Sequence, residues 1–378
     1  MDTLDLQLQF LLEAEQFANV EIRPFASQFE ENECLPKELI KKMAEKGYLG
    51  SCFPQKYGGQ GLNAVNYGRL TEIIGKADPS VRGLLTVNTS LIGEAIIKFG
   101  TEDQKDKWLP AISKGERIGA FALTEPEVGS DARNIKTSYK KIGSKYVLNG
   151  KKKWITLGDI ADFFIVIASN GSSVTAFIVE RENGVITKPI KGLLAGRAAH
   201  VAEVELNNVE VGEESILGKE GNGFSYIVST SLDYGRYSIA WAGLAIAQEA
   251  LDAMVLYARD RIQFGKKIYT YQLIQKIIAD SLTDIHAARA LCINAGEMRD
   301  QRAHDAIMQT TIAKYFTSKI AMTIAVDAVQ LHGGNGCCNK YPVERLFREA
   351  KILEIIEGSS QMQVEIISKY GLRKYYKI

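Results

Sequence analysis

At 378 residues, the chain is long enough for two or three packed units rather than one small core. Hydrophobic residues make up 46% of it and charged residues 24%, a balance typical of globular proteins and not of disordered or fibrous ones. The 46 Lys and Arg residues nearly balance the 45 Asp and Glu residues. The chain therefore lacks the broad positive field that nucleic acid or an anionic membrane surface would need, and we expect neither as a partner.

The start of the chain and its cysteines bear on its location. Met1-Asp2-Thr3-Leu4-Asp5 has neither the basic start nor the apolar core of a signal peptide. No apolar run approaches the roughly 20 residues of a membrane-spanning helix, and the richest one, residues 239–247, is typical of a buried helix. The five cysteines are scattered without a CxxC pair, which favours free thiols in a reducing interior. The sequence thus predicts a cytoplasmic protein.

Up to about Lys114, apolar residues recur at helical spacing. Pro36 and Gly47 mark the start and end of one predicted helix. Further helices are predicted over residues 67–74, 81–99 and 102–112. We therefore predict an N-terminal helical domain over residues 1–115.

After Gly115 the pattern changes to short runs of β-forming residues at 146–148, 163–167 and 176–179, followed by an alternating stretch at 201–211. Asn149-Gly150 is a strong hairpin signal. The lysine runs 140–141 and 151–153 are accordingly predicted to be solvated hairpin ends. This pattern predicts a β-barrel-like domain over residues 116–225.

From Tyr226 onward the helical period returns in long segments at 232–259, 271–299 and 303–331. Each is long enough for an antiparallel four-helix bundle, predicted over residues 226–378. The predicted fold class is therefore α+β: a helical domain, a β domain and a C-terminal helical bundle.

Taken alone, the glycine-rich and cysteine-rich segments define no ligand. The spacings GxGxxG and GxxxxGK[ST] are absent, and Gly333-Gly334-Asn335-Gly336 by itself is typical of a turn that ends a helix. His332 with Cys337 and Cys338 suggests a metal only weakly, because adjacent cysteines ligate one ion poorly and no second pair is available. We predict no metal site.

Four segments, in this order, resemble the acyl-CoA dehydrogenase family. They are residues 122–131 (ALTEPEVGSD), 153–156 (KWIT), 261–265 (RIQFG) and 330–361, which contains QLHGGNG, YPVER and IEGSSQ. The resemblance covers essentially the whole chain. It implies an FAD cofactor between the β domain and the bundle, with the ADP half reaching a neighbouring subunit. A homo-oligomer, tetramer or dimer, follows from that implication.

The resemblance also assigns cofactor contacts. Trp154 would cover the flavin ring and Thr156 would reach its N5, while Arg261 would pair with the pyrophosphate, for which a guanidinium fork is suited. Outside the motif, Trp154 would be an ordinary core tryptophan and Arg261 a solvated arginine. The full predicted set is Leu123, Thr124, Ser130, Trp154, Thr156, Arg261, Phe264, Gln272, Gln330, Gly333, Gly334, Ser359 and Gln361.

Glu357 aligns with the family's Glu-Gly-Thr/Ser motif and is the predicted catalytic base. It would remove the proton α to a thioester carbonyl while a hydride leaves the β carbon for the flavin. Such a role requires burial to raise its pKa from about 4.3 toward neutrality. Substrate contacts are predicted at Ser130, Asp233, Arg236 and Gly358, and Arg236 could equally pair with Asp233.

The chain departs from the family pattern in one segment, residues 192–201, where Ala199 and Val201 replace the usual Ser and Thr. This segment, 233–238 and 335–337 are more like the acyl-ACP dehydrogenases of polyketide extender-unit pathways, which make hydroxymalonyl, methoxymalonyl or aminomalonyl units. That likeness implies a small, polar acyl group on coenzyme A or an acyl carrier protein, with an electron-transfer flavoprotein as the family's usual acceptor.

Three alternatives remain open. One is an ordinary short-chain acyl-CoA dehydrogenase of catabolism. Another is a flavin-dependent oxidase, although nitroalkane oxidases place Asp where this chain has Glu357. The third is a flavin-binding protein that has lost catalysis.

Overall fold

The computed structural model describes residues 3–376, and its elements follow the predicted order of helices, sheet and helices. The N-terminal helices are α1 (Thr3–Phe17), α2 (Ala26–Asn32), α3 (Lys37–Glu45), α4 (Ala64–Ala77), α5 (Pro79–Leu85), α6 (Glu94–Phe99) and α7 (Glu102–Ser113). The strands that follow are β1 (Gly119–Ala122), β2 (Ser138–Ile142), β3 (Lys145–Ile155), β4 (Phe163–Ser169), β5 (Val174–Glu180), β6 (Ile186–Pro189) and β7 (Ala202–Gly212).

The C-terminal part is again helical. It comprises α8 (Ser229–Asp260), a short hairpin of β8 (Ile262–Gln263) and β9 (Lys266–Lys267), α9 (Gln272–Asp300), α10 (Ala306–His332), α11 (Val343–Leu353) and α12 (Ser360–Tyr376). The predicted fold class is confirmed: an N-terminal helical domain, a curled sheet and a C-terminal helical domain.

Local signals explain where the N-terminal helices begin. The Asn63 side chain accepts a hydrogen bond from the Asn66 amide, 2.8 Å away, at the start of α4. Thr101 and Gln104 form a capping box at the start of α7. Pro36 precedes α3, as predicted, and Gly47 follows its end with a φ of 77°.

The described residues form a seven-stranded mixed sheet with the order β1-β4-β2-β3-β7-β6, while β5 pairs with β4. β1 and β4 run parallel, whereas β2, β3, β7 and β6 are joined by antiparallel ladders. The inward face packs an aromatic cluster in which Tyr139, Tyr146 and Phe177 have ring centroids 5.1–5.9 Å apart. Their burial stabilises the sheet through the large apolar area of each ring.

The predicted hairpin turn at Asn149-Gly150 is wrong. β3 runs through both residues, and the turn that joins β2 to β3 lies at Gly143-Ser144. Gly150 has a φ of 154°, and a Cβ there would lie 2.5 Å from the Thr137 hydroxyl. The ladder between β3 and β7 also shifts register between Leu148 and Gly150. Gly150 is therefore needed for a close backbone approach inside a bulged strand, not for a turn.

The chain divides into two compact units. One, here called the helical unit, comprises Met1–Ser27, Asn63–Arg82 and Arg236–Ile378. The other, the sheet unit, comprises Gln28–Leu62 and Gly83–Gly235. The helical segment Gly223–Asp260 contains an 18-residue window with a mean hydropathy of 1.4, so by length and composition alone it could cross a membrane. However, 72% of that window is buried within the protein.

A close helix contact in the helical unit provides a test of the packing. Gly68 in α4 faces the fully buried Trp241 of α8, and a Cβ at Gly68 would lie 2.1 Å from the indole. Gly68→Ala should lower the free energy of unfolding by about 1–3 kcal/mol because overpacking outweighs the better helix propensity of alanine.

Gly83→Ala in α5 is the matched control, since no heavy atom beyond its chain neighbours and its own helix backbone lies within 4 Å of an added Cβ. This change should be neutral or stabilising by up to about 1 kcal/mol. Urea unfolding of both variants measures the difference. Equal stability of the two would contradict the α4–α8 packing.

Candidate active site

Glu357 lies in the short connection between α11 and α12. Its φ is 54° and that of the next residue, Gly358, is 87°. A left-handed backbone is costly for a residue with a long side chain and persists only where the surroundings hold it. The strain at Glu357 therefore marks a constrained position.

Three side chains hold this connection through its carbonyl groups. Arg236 Nε of α8 donates to the Glu357 carbonyl at 3.0 Å, and Lys314 Nζ of α10 donates to the Gly358 carbonyl at 2.8 Å. Gln363 of α12 donates to both carbonyls, at 3.3 Å and 3.0 Å. A Cβ at Gly358 would lie 2.8 Å from Gln363 Nε2, so glycine leaves room for this contact. The backbone of this connection is thus fixed by three side chains, and none of these hydrogen bonds involves the Glu357 carboxylate.

The Glu357 carboxylate is withdrawn from water. The residue as a whole is partly exposed, but Oε2 is buried and has no hydrogen-bond partner among residues 3–376. Burial raises the pKa of Glu357 to about 7, and the positive charges of Arg236, Lys314 and Arg82 limit the rise. A carboxylate with this pKa can accept a proton near neutral pH, which is the property of a general base.

Lys314 is fully buried on the inward face of α10. Burial lowers its pKa to about 8, while the negative charge of Glu357 opposes that change. Arg82 of α5 is likewise buried, and desolvation lowers its pKa. Arg82, Lys314 and Gln363 are not among the residues predicted from the sequence. For Lys314 a signal existed, because a lysine interrupts the apolar and small residues along α10.

A cavity of about 940 Å³ lies elsewhere in the helical unit. It is lined by the β8–β9 hairpin, the start of α9 and the end of α10. Six predicted cofactor residues line it together: Arg261, Phe264, Gln272, Gln330, Gly333 and Gly334. Ser359 and Gln361, the other two predicted in this unit, lie instead at the start of α12.

The chemistry of this cavity suits a dinucleotide. Arg261 provides a guanidinium for phosphate oxygens, and Gln272 and Gln330 provide amide groups. Phe264 is 95% exposed and offers an aromatic face. Gly333, with a φ of 59°, and Gly334 have open space where a Cβ would stand, so a ligand can approach the backbone closely. These residues fit the adenine dinucleotide part of FAD.

The remaining predicted cofactor residues belong to the sheet unit. Leu123 and Thr124 follow β1, and the Thr124 carbonyl accepts a hydrogen bond from the Lys153 amide at 2.9 Å. Trp154 is 52% exposed with a φ of 62°, at a register shift of β3 between Lys152 and Ile155. Trp154 is therefore not an ordinary core tryptophan, since the bulge turns it outward.

Thr156, the last of the set, follows β3 and is partly buried, and Ser130 is exposed in the loop after β1. Of the predicted substrate contacts, Asp233 is buried and lies on α8, which also carries Arg236.

The prediction that residues 151–153 are solvated hairpin ends is wrong for Lys152. This residue lies within β3, and its side chain is fully buried in an ion pair with Glu125. The run of lysines predicts exposure, but Lys152 can be buried because the buried carboxylate of Glu125 compensates its charge.

Three family models match consecutive parts of the chain. The sequence matches the profiles "Acyl-CoA dehydrogenase, N-terminal domain" over residues 5–116, "middle domain" over 120–209 and "C-terminal domain" over 221–372. It is 40% identical over 362 residues to an acyl-CoA dehydrogenase of Bacillus subtilis, covering 94% of this chain and 95% of that protein.

Solved structures of acyl-CoA dehydrogenases have the same fold as this chain. Butyryl-CoA dehydrogenase from Megasphaera elsdenii superposes with a TM-score of 0.94 at 35% identity, covering 98% of both chains. A glutaryl-CoA dehydrogenase from Mycobacterium smegmatis in complex with FADH2 has a TM-score of 0.92 at 29% identity, covering 98% of this chain and 95% of the other. The matched family models and the shared fold of helices, curled sheet and helices define the class of protein, a flavin-dependent dehydrogenase. The chain belongs to the acyl-CoA dehydrogenase family and is an FAD-dependent oxidoreductase acting on acyl thioesters.

Two further structures concern carrier-protein chemistry. The prolyl acyl carrier protein oxidase AnaB has a TM-score of 0.91 at 28% identity, covering 97% of this chain and 98% of the other. FkbI, described as serving biosynthesis of a methoxymalonyl extender unit, has a TM-score of 0.87 at 27% identity, covering 96% and 99%.

The charges around Glu357 lead to a prediction about pH dependence. With a pKa of about 7, Glu357 becomes an active base as the pH rises through neutrality. Lys314→Met removes a positive charge that favours the carboxylate, so the pKa of Glu357 should rise and the acid limb of the rate profile should move up by roughly 1 pH unit. Arg82 and Arg236 remain as the other cations facing Glu357. Anaerobic flavin reduction between pH 5 and 9 measures the profile.

Two further variants separate the effect of the Lys314 charge from the loss of its hydrogen bond and from the loss of any lysine on α10. Lys314→Gln retains a donor for the Gly358 carbonyl and should shift the limb similarly while preserving more of the maximal rate. Lys319→Met, an exposed lysine on the same helix, should leave the profile unchanged. An unshifted limb in Lys314→Met would show that Lys314 does not set the ionisation of the base.

Proposed function

We propose that the protein removes the α proton of a small, polar acyl thioester with Glu357, in a reaction for which bound FAD would accept the hydride from the β carbon. The buried Glu357 carboxylate, with a pKa raised to about 7 and no hydrogen-bond partner for Oε2 in the described part of the chain, is the observation that carries this proposal. A base that is already paired would have to break that pair before accepting a proton. Bound FAD supplies the hydride acceptor that makes loss of the proton productive.

The residues of this chain have separate roles in the proposal. Glu357 accepts the proton at a carboxylate oxygen, and Arg236, Lys314 and Gln363 hold its backbone so that the carboxylate stays in one place. Gly358 and Asp233 are proposed substrate contacts, together with Ser130. Leu123, Thr124, Trp154 and Thr156 of the sheet unit, and the cavity residues of the helical unit, are proposed to hold FAD.

Two carriers for the acyl group are supported by different observations. An acyl carrier protein is favoured by the replacement of two hydroxyl residues by Ala199 and Val201, and by the likeness to AnaB and FkbI. A catabolic short-chain acyl-CoA substrate is favoured by higher identity to relatives named as such, for example 36% to the short-chain enzyme of Clostridium acetobutylicum.

The proposal extends to partners and assembly. A relative that is 34% identical is named as a subunit of a caffeyl-CoA reductase–Etf complex, which supports an electron-transfer flavoprotein as the redox partner. We also propose a cytoplasmic homo-oligomer, tetramer or dimer, because the implied position of the ADP half of FAD reaches a second subunit.

Replacement of the base tests the mechanism. Glu357→Gln preserves the size of the side chain but removes the proton acceptor. It should leave FAD bound and slow flavin reduction by substrate by about 10²–10⁴-fold, the usual loss for a general base. Stopped-flow absorbance under anaerobic conditions measures this rate. Reduction at the wild-type rate would show that another group takes the proton.

A substrate panel tests the acyl group and its carrier. Butyryl-CoA and other short acyl-CoAs are compared with glyceryl- and seryl-acyl carrier protein in anaerobic flavin bleaching. We expect kcat/KM for a polar acyl carrier protein thioester to exceed that for the acyl-CoAs by at least about 10-fold, a difference of 1.4 kcal/mol in transition-state binding. Faster bleaching by butyryl-CoA would assign the protein to short-chain acyl-CoA oxidation instead. Fast reoxidation of the flavin by oxygen would indicate an oxidase.

A further inference from the structure

Glu125 and Lys152 form an ion pair that is sealed from solvent inside the sheet unit. Lys152 Nζ lies 2.9 Å from Glu125 Oε1, and the two side chains are 0% and 1% exposed. By contrast, Lys151 and Glu205, one position along the same strand, form a pair whose side chains are 66% and 45% exposed. A buried ion pair adds little net stability because desolvation of both charges offsets their attraction. Fold stability alone is therefore a weak reason for this pair.

The pair ties three segments of the sheet unit together. Glu125 accepts hydrogen bonds from the amides of Lys136, at 2.5 Å, and Thr137, at 2.8 Å. Lys152 also donates to the Leu123 carbonyl at 3.0 Å. Burial opposes ionisation of Glu125, yet Lys152 and the two amides hold its pKa below the usual range. Both groups are therefore satisfied, and the geometry around them is closely defined.

Two of the tied segments carry residues assigned to the flavin. The Leu123 carbonyl is held directly by Lys152, and the Thr124 carbonyl accepts from the amide of Lys153, the next residue of β3. The register of β3 breaks immediately after Lys152, and Trp154 adopts its left-handed backbone within that break. A strained residue keeps such a conformation only where its neighbours determine it. Lys152 is the last paired position of β3 before this register shift, so the pair holds the position at which the bulge begins.

We infer that Glu125 and Lys152 are positioning residues for the cofactor, which fix the Leu123–Thr124 segment and the Trp154 bulge relative to each other. The inference rests on the proposed role of these segments in holding FAD. It differs from a purely structural role because cofactor affinity and the flavin spectrum should depend on the pair even where fold stability does not.

A double replacement separates the two roles. Lys152→Met leaves Glu125 buried without its cation and should lower the thermal unfolding midpoint of the FAD-free protein by about 5 °C or more. Lys152→Met/Glu125→Gln removes both charges, and the amide oxygen that it introduces still accepts from the amides of Lys136 and Thr137, so it should recover most of that loss. The exposed pair provides the matched control, Lys151→Met/Glu205→Gln, for which little change is expected.

Binding of FAD to the FAD-free protein is then measured by titration, together with the absorption spectrum of the bound flavin. The buried double variant should bind FAD at least about 10-fold more weakly than wild type and show a shifted flavin band, since misplacement of contacting groups lowers affinity even in a stable fold. The control double variant should match wild type in both measurements.

The outcomes are distinct. If the buried double variant is as stable as wild type and also matches its FAD affinity and spectrum, the pair has no positioning role and the inference is wrong. If Lys152→Met does not fold, the FAD affinity and flavin spectrum of the buried double variant still test the inference. If wild-type protein itself binds no FAD, the proposed cofactor site fails and the inference falls with it.

Discussion

The site depends on one balance, between removal of the Glu357 carboxylate from water and the positive charges placed around it. Burial alone would keep the carboxyl group protonated well above neutral pH, and it could then accept no proton. Direct ion pairing would lower its pKa and make it too weak a base. The positive charges of Arg82, Arg236 and Lys314 limit the effect of burial, and the resulting pKa of Glu357, about 7, lies between these limits. The three cations come from α5, α8 and α10, so correct packing of these helices is a condition for the chemistry.

The backbone of the same connection explains how the carboxylate is kept available. Successive left-handed residues, Glu357 and Gly358, present their carbonyl groups to Arg236, Lys314 and Gln363. At least one donor of each of these side chains is thereby directed to a carbonyl oxygen. Cationic side chains can in this way support an acidic residue electrostatically without a hydrogen bond to its carboxylate. The strain at Glu357 is offset by these hydrogen bonds.

Two buried lysines show how surroundings determine the role of a residue type. Lys152 is paired directly with Glu125 and donates to the Leu123 carbonyl, so its charge is compensated and its position is fixed. Lys314 donates to the Gly358 carbonyl, and its charge acts on Glu357 without a direct ion pair. Burial lowers the pKa of both. Direct pairing with Glu125 fixes the position of the Lys152 side chain. The charge of Lys314 instead tunes the pKa of Glu357, whose ionisation can then respond to pH near neutrality.

The sequence by itself determined the order of helices and strands, because apolar periodicity and caps such as Thr101 and Gln104 act locally. Motif positions also indicated Glu357 and the six residues that line one cavity, since Arg261, Phe264 and the glycines after α10 lie in segments of recognisable pattern. Only the tertiary structure decided that Gly150 serves a close approach and not a turn, and that Lys152 is buried. Both depend on neighbours distant in sequence, Thr137 and Glu125. The same reason applies to Arg82 and Lys314: the charges that surround Glu357 are brought there by long-range packing, which no local pattern records.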